Sequence, residues 1–343
     1  MRDESCCRLA TVLGAAGMGK SRLVDELVNR VGDQASVVRG RCLSHGRGIT
    51  FWPIVEIARE AAGILDEDAP QAARAKISAL VWDEAVVERL ASVVGLSTVE
   101  FPVEEAFWGV RKLLEALSAG RPLVVIVDDV HWAETTLLDL LEHVLATAET
   151  PILLVCSARP EFFEIRPDWD SLARSIAVLL GPVSEDDAAL IAKNLLGESA
   201  LDDELAARIV AAAQGNPLFV EQMLSMMIDD GLLTRENGRW VSATDLAEVA
   251  VPPTIQALLS ARLDLLGQDE RAVMEAASVA GLVFPEGALR ELVSEQVADR
   301  VGPILMSLAR KHLVHREPQT GGSEERFRFD HVLIRRRDRR HRS

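Results

Sequence analysis

Gly14-Ala15-Ala16-Gly17-Met18-Gly19-Lys20-Ser21 is the stretch on which the reading of this 343-residue chain turns. It fits G-x-x-x-x-G-K-[ST], a loop whose backbone wraps the phosphates of a nucleoside triphosphate, ATP or GTP. Arg8 to Leu13 ahead of it reads as a short buried strand, and the residues after it, Arg22 to Val28, carry apolar side chains at helical spacing. Glycines at 14, 17 and 19 allow successive N–H groups to turn inward as an anion cradle, and the following helix points its positive end at the same place. Lys20 is expected to reach the β- and γ-phosphates and Ser21 to ligate Mg²⁺. Ala15, Ala16, Met18 and Arg22 complete the stretch expected to line the nucleotide.

A second stretch points the same way. Leu123-Val124-Val125-Ile126-Val127-Asp128-Asp129 is an unbroken apolar run ending in two carboxylates, as expected of a central parallel strand buried on both faces. Ligands of open α/β sheets bind at the carboxyl ends of such strands. Asp128 is therefore assigned to Mg²⁺, held through water, and Asp129 to the attacking water, which it would orient or deprotonate. Neighbouring strand residues face opposite ways, so Asp129 works only if it lies just past the strand end.

Composition narrows the class. Hydrophobic content of 48% with 26% charged residues describes a folded chain, and 343 residues suffice for two or three domains. No apolar run approaches the roughly 18 residues of a membrane span, and no signal peptide precedes the glycine loop. Cys6, Cys7, Cys42 and Cys156 show neither metal-ligand spacing nor a secreted disulfide pattern, so a reducing cytoplasm is the expected location. A formal charge of −16 argues against the body of the chain gripping nucleic acid. The Arg335 to Arg342 run is the exception, readable either as a tail for nucleic acid or an acidic partner or as a loose end without a role.

Residues 1–181 alternate strands and helices, with strands expected at Arg8 to Leu13, Ser36 to Arg41, Leu123 to Asp128, Ile152 to Ala158 and Ile176 to Leu180. About eighty residues of helical pattern lie between the second and third, too many for a plain crossover, so an inserted set of helices is expected. Phe51, Trp52, Phe107 and Trp108 in it read as packing residues. Gly181-Pro182 marks a boundary. A helical domain over 182–250 follows, with helices at Ala188 to Leu196, Asp203 to Ala213 and Pro217 to Ile228 and a hairpin whose tip is Asn237-Gly238. Residues 251–334 carry a helical stripe from Ile255 to Leu266, three further helices and two strand-like pieces, Leu313 to Arg316 and Arg326 to Phe329, the pattern of a winged helix. Residues 335–343 form a basic tail.

These motifs together resemble the STAND class of P-loop ATPases, signal-transduction relatives of AAA+ proteins. The segments Gly40-Arg41-Cys42-Leu43, Gly48-Ile49-Thr50-Phe51-Trp52-Pro53, Asp128-Asp129-Val130-His131-Trp132-Ala133 and Gly215-Asn216-Pro217-Leu218-Phe219-Val220-Glu221 are similar to the bacterial branch found with class III adenylyl cyclases or in large ATP-dependent transcription regulators. The resemblance implies an α/β P-loop NTPase domain, with helices on both faces of a parallel sheet, followed by a helical and a winged-helix domain. It implies an ATP/ADP-bound, Mg²⁺-dependent switch that hydrolyses slowly, with protein partners or self-assembly as its output. Arg159 resembles the sensor arginine that contacts the γ-phosphate, against the plain reading of a surface arginine at a strand end. Pro217 resembles the proline packed on adenine, and also suits the first position of a helix. His331 resembles the winged-helix histidine that closes over the ADP β-phosphate, against the equal reading of an ordinary surface or packing residue.

The family pattern includes a segment ahead of the first strand with a Gly-Arg pair that helps clamp the base. Only thirteen residues precede Gly14, without that pair, so weakened nucleotide affinity is expected. At the other end the family continues past the region of His331 into a repeat sensor, and the chain therefore reads as a fragment or truncated frame. Rival expectations are a DNA-binding regulator acting through the winged helix, the regulatory part of an adenylyl cyclase, and an AAA+ motor.

Overall fold

The computed structural model describes residues 6–43, 50–196, 203–236, 239–242, 263, 266–281, 283–311, 313–317 and 325–329. It divides into two compact units, Met1–Gly181 and Pro182–Ser343.

The first unit is built on five strands, β1 (Arg8–Leu13), β2 (Ser36–Arg41), β3 (Leu123–Asp128), β4 (Ile152–Ala158) and β5 (Ser175–Leu179), in the order β2-β3-β4-β1-β5. All four pairings are parallel, so every strand presents its carboxyl end to the same edge. Every residue of β3 is buried, which is why that strand reads as continuous apolar sequence without alternation. Its side chains still divide by face. Val124 and Ile126 join Val12, Val155 and Val24 of α1 (Lys20–Val31), whereas Leu123, Val125 and Val127 join Leu137 and Leu141 of α6 (Thr135–Thr147).

Between β2 and β3 the inserted helices are α2 (Trp52–Ala62), α3 (Pro70–Leu80), α4 (Glu84–Val93) and α5 (Val103–Leu117). Phe51 and Phe107 pack edge to face with centroids 6.4 Å apart, as core side chains. The start of α2 presses on β2 so closely that a Cβ on Gly40 would lie 2.2 Å from the Pro53 carbonyl oxygen. After β4 comes the short α7 (Phe162–Ile165), where Phe162 packs edge to face on Trp169 and the Trp169 indole donates to Thr11 Oγ1 of β1 at 2.9 Å. Cys7, Cys42 and Cys156 are buried, Cys6 is partly exposed, and none of the four is in a disulfide.

β5 begins one residue earlier than the apolar pattern implies. Leu180 lies beyond it, its N–H donating to the Leu13 carbonyl at 2.7 Å. β5 is an edge strand with Ile176 and Leu179 largely exposed, so burial does not sharpen its boundary in the sequence.

The second unit has two cores. Ala188 and Ala192 of α8 (Glu185–Leu196), Ile209 of α9 (Asp203–Ala213), and Phe219 and Met223 of α10 (Pro217–Asp229) make the first. β6 (Leu233–Glu236) and β7 (Arg239–Ser242) pair antiparallel with Glu236 opposite Arg239, which leaves a two-residue connection at Asn237-Gly238, itself outside the described residues. The second core gathers α11 (Gln268–Ala280), α12 (Glu286–Leu292), α13 (Glu295–Ala298) and α14 (Val301–Arg310) around Phe284, Leu305 and Phe327. Of the helical stripe expected over 255–266, Leu263 and Leu266 are buried in this core, and the rest lies outside the described residues.

A three-stranded sheet in this region corrects the sequence expectation of two strands. β8 (Val283–Pro285), β9 (Val314–Arg316) and β10 (Arg326–Phe329) form an antiparallel sheet in the order β8-β10-β9. Three residues ending in proline are too short to show a period of two, and proline is admitted because β8 is an edge.

Glu270 knits the second core together by accepting from the Gly267 amide at 3.1 Å, Ser307 Oγ at 2.8 Å and Lys311 Nζ at 2.8 Å. Burial works to raise this carboxyl, and the bonds from Lys311, Ser307 and Gly267 outweigh it, holding it below the usual carboxylate range. A carboxyl lowered in the folded state contributes stability above its unfolded value and loses it as pH falls through the folded one. Glu270→Gln is expected to shrink the loss of thermal midpoint between pH 5 and pH 3, read by circular dichroism.

Among the described residues, no helix is long and apolar enough to cross a membrane.

Candidate nucleotide-binding site

The turn after β1 is set by Gly17 and Gly19, both at φ 85°, a left-handed conformation that only glycine adopts without strain. Gly19 is also the N-cap of α1, and no side chain caps the first N–H groups of that helix. Uncapped N–H groups beside a glycine turn are the donor set for an anion, and here they face the sheet's carboxyl edge. Lys20 Nζ donates to the carbonyls of Gly14 at 2.7 Å and Ala15 at 3.1 Å, folded over the turn. Ser21 and Arg22 lie exposed on the first turn of α1.

At the end of β3, Asp128 is 2% exposed. Its Oδ1 accepts from Ser157 Oγ of β4 at 2.9 Å, and its Oδ2 accepts from Arg39 Nε of β2 at 2.8 Å, with Arg41 Nη2 at 3.9 Å. Asp129 sits one residue past the strand at φ 59°, ψ 40°. This left-handed residue swings its carboxylate away from the position strand alternation would give it. Its N–H donates to Ser157 Oγ at 3.0 Å, and its carboxylate has Arg41 Nε at 3.8 Å and His131 Nδ1 at 3.9 Å. The condition attached to Asp129, that it lie just beyond the strand, is met in the geometry.

The glycine turn and the acidic pair lie on the same edge because β1 and β3 both run parallel to β4, which stands between them. Burial lowers the Lys20 ammonium, Asp129, Glu161 and Asp128 raise it, and Arg159 lowers it, so these groups share one electrostatic neighbourhood. Burial likewise pushes the Asp129 carboxyl up, with Asp128 adding to the shift and Arg41, Lys20 and Arg159 opposing it. Arg159 follows β4 directly. Pro217 stands at the first position of α10 in the second unit, behind the N-cap Asn216, whose Oδ1 accepts from Leu218 and Phe219 N–H groups. His331 and the basic run lie outside the described residues.

Arg39, Arg41 and Ser157 are the site residues that motif reading overlooks. Arginines two apart on one strand share a face, a signal present in Arg39-Gly40-Arg41. Their shared target, 89 residues beyond Arg39, appears only once β2 is known to pair with β3.

The donor set suits Mg²⁺ with a polyphosphate: a hydroxyl on the first helical turn and carboxylates at the strand end are hard oxygen ligands, and Mg²⁺ takes few protein ligands when phosphates and water supply the rest. Among the described residues no group of three His, Cys, Asp or Glu side chains forms a metal cage of protein alone.

Residues 1–155 match the family model of the AAA ATPase domain, and residues 183–240 match a domain of unknown function. An uncharacterized protein of Rhizobium meliloti (strain 1021) is 30% identical over 311 residues, 83% of this chain and 28% of the relative. The crystal structure of a Signal Transduction ATPase with Numerous Domains (STAND) protein with a tetratricopeptide repeat sensor, from Pyrococcus horikoshii, aligns over 98% of this chain and 40% of its own at 16% identity and a TM-score of 0.54. The Aeropyrum pernix ORC1 protein, solved in complex with DNA, aligns over 96% of this chain and 86% of its own at 16% identity and a TM-score of 0.40. The chain thus spans under a third of the Rhizobium relative's length and two fifths of the Pyrococcus protein's. Its first 155 residues match the AAA ATPase domain, and the chain shares its fold with the Pyrococcus STAND protein.

Proposed function

We propose that this chain is an ATP-binding, slowly hydrolysing switch module of a larger regulatory protein. The observation that supports the reading is that the glycine turn after β1, the acidic pair at the end of β3 and Arg159 after β4 all fall at the carboxyl edge of one parallel sheet. When bound, Mg²⁺ would neutralise phosphate charge and orient the γ-phosphate for attack. Ser21 and Asp128 would hold the ion, Asp128 through water. Lys20 would leave the loop carbonyls for the β- and γ-phosphates, and Asp129 would take the proton of the attacking water. Arg159 would pair with the γ-phosphate and lose that partner in the ADP state, the difference on which a switch depends. The roles that the resemblance implies for Pro217 and His331 belong to the same proposal.

A protein partner or self-assembly suits the second unit better than DNA. Among the described side chains α14 offers Pro303 and Met306 to solvent, while Arg300 is paired with Asp269 and Lys311 with Glu270. A winged-helix reader of DNA needs unpaired cationic or amide side chains there. A cytoplasmic location and a role beside an adenylyl cyclase belong to the same proposal, the cyclase chemistry residing in a separate domain.

The test is to denature the purified protein and identify the nucleotide released, with Lys20→Ala beside it. ADP or ATP is expected from the native chain. The variant is expected to bind about 10- to 100-fold more weakly, the loss of about 1.5–3 kcal/mol for a hydrogen bond to a charged group. Equal recovery from both removes the Lys20 assignment, and recovery from neither removes the reading.

A further inference from the structure

Arg39 stands at a junction that phosphate chemistry does not require. Its guanidinium donates from Nε to Asp128 Oδ2 at 2.8 Å and from Nη1 to Asp25 Oδ1 at 2.9 Å, bridging the carboxylate at the end of β3 to the helix that follows the glycine loop. The two partners differ in setting. Asp128 is 2% exposed and Asp25 is 51% exposed. Asp25 lies four residues beyond Ser21, hence on the same face of α1. A buried carboxylate without a cation is costly, and Arg39 meets that cost before any metal arrives. A divalent ion drawing on Asp128 must share the carboxylate with a guanidinium of like charge, and repulsion then favours the exposed partner that Arg39 already touches.

We propose that Arg39 is a positioning residue that neutralises and orients Asp128 in the absence of metal and, retained by Asp25, releases it when a divalent cation enters with nucleotide. The inference rests on Asp128 serving the metal, as under the reading above. It makes the Mg²⁺ requirement of nucleotide binding depend on two residues outside the phosphate loop, in opposite senses. Without Arg39 the carboxylate keeps Ser157 on Oδ1 and the more distant Arg41 but loses its closest cation, and less Mg²⁺ is needed. Without the Asp25 carboxylate Arg39 has Asp128 alone, and more Mg²⁺ is needed.

The experiment titrates MgCl₂ into the full chain at a fixed concentration of a fluorescent ATP analogue, for wild type, Arg39→Gln and Asp25→Asn. The half-saturating Mg²⁺ is expected to fall about threefold or more in Arg39→Gln and to rise by a similar factor in Asp25→Asn, the size that one partly exposed charge pair supplies. The metal-free thermal midpoint of Arg39→Gln should also fall and recover more than that of wild type on adding Mg²⁺ and ATP. Shifts in the same direction, or an unmoved half-point in Asp25→Asn, overturn the proposal. Asp25→Asn, altered at an exposed site, decides the matter by itself if Arg39→Gln does not fold. Binding by wild type that ignores Mg²⁺ overturns the metal role of Asp128 and this inference with it, whereas Mg²⁺-dependent binding with identical half-points in all three proteins overturns the inference alone.

Discussion

Asp129→Asn is expected to abolish most ATP hydrolysis while leaving ATP binding within a few-fold of wild type. The substitution is nearly isosteric, and asparagine is among the few residues that accept the left-handed backbone held at φ 59°. The turn, the amide bond to Ser157 and the strand end should therefore survive. What disappears is a basic oxygen in a neighbourhood shared with Lys20 and Arg159. Loss of a positioned general base costs about 10²- to 10⁴-fold in rate. Phosphate release under single-turnover conditions, compared with analogue binding by the same preparation, separates chemistry from affinity. A variant that hydrolyses at the wild-type rate would take the base role away from Asp129. Asp129→Ala is the poorer choice, because alanine strains the left-handed turn and mixes a folding defect into the kinetics.

Gly40→Val should destabilise the first unit more than any exposed substitution in it. A Cβ at this position meets the oxygen, carbonyl carbon and Cα of Pro53 at 2.2, 2.7 and 2.8 Å, and all three are backbone atoms of a buried residue. Rotamer changes cannot relieve that contact, so β2 and α2 must separate along a packed face. Overpacking of this kind costs typically about 1–3 kcal/mol, more where backbone must move, and on that scale the thermal midpoint of a unit this size should drop by roughly 10 °C. Circular dichroism melts would measure it, with Gly120→Ala as the comparison. Nothing lies within 4 Å of a Cβ on Gly120, and that variant should stay within about 0.5 kcal/mol of wild type. Equal midpoints for the two variants would mean that β2 and α2 are not held in contact.

Burial explains which parts of this architecture are visible in the sequence. β3 is covered on both faces, and its apolar run stops where the strand stops, at Asp128. β1 and β4 are bounded similarly by the glycine turn and by Arg159. β5 at the exposed edge slips by one residue, and β8 escapes notice because three residues hold no periodicity. The glycine loop and acidic pair are legible because each is local, a few adjacent residues with a fixed spacing. The Arg39–Asp128–Ser157 network is not local. It joins three strands whose order no motif specifies, and its members become neighbours only through the β2-β3-β4 pairing.

The placement of the sulfur atoms has a chemical outcome for the molecule. Burial pushes the Cys7 thiol up to about 12 and raises Cys42 and Cys156 as well, so at neutral pH these three carry almost no nucleophilic thiolate. Only Cys6 meets solvent. Among the thiols, oxidation thus acts first at the amino-terminal rim of the sheet, and Cys42 and Cys156, beside the acidic pair, stay chemically silent for as long as the sheet remains closed.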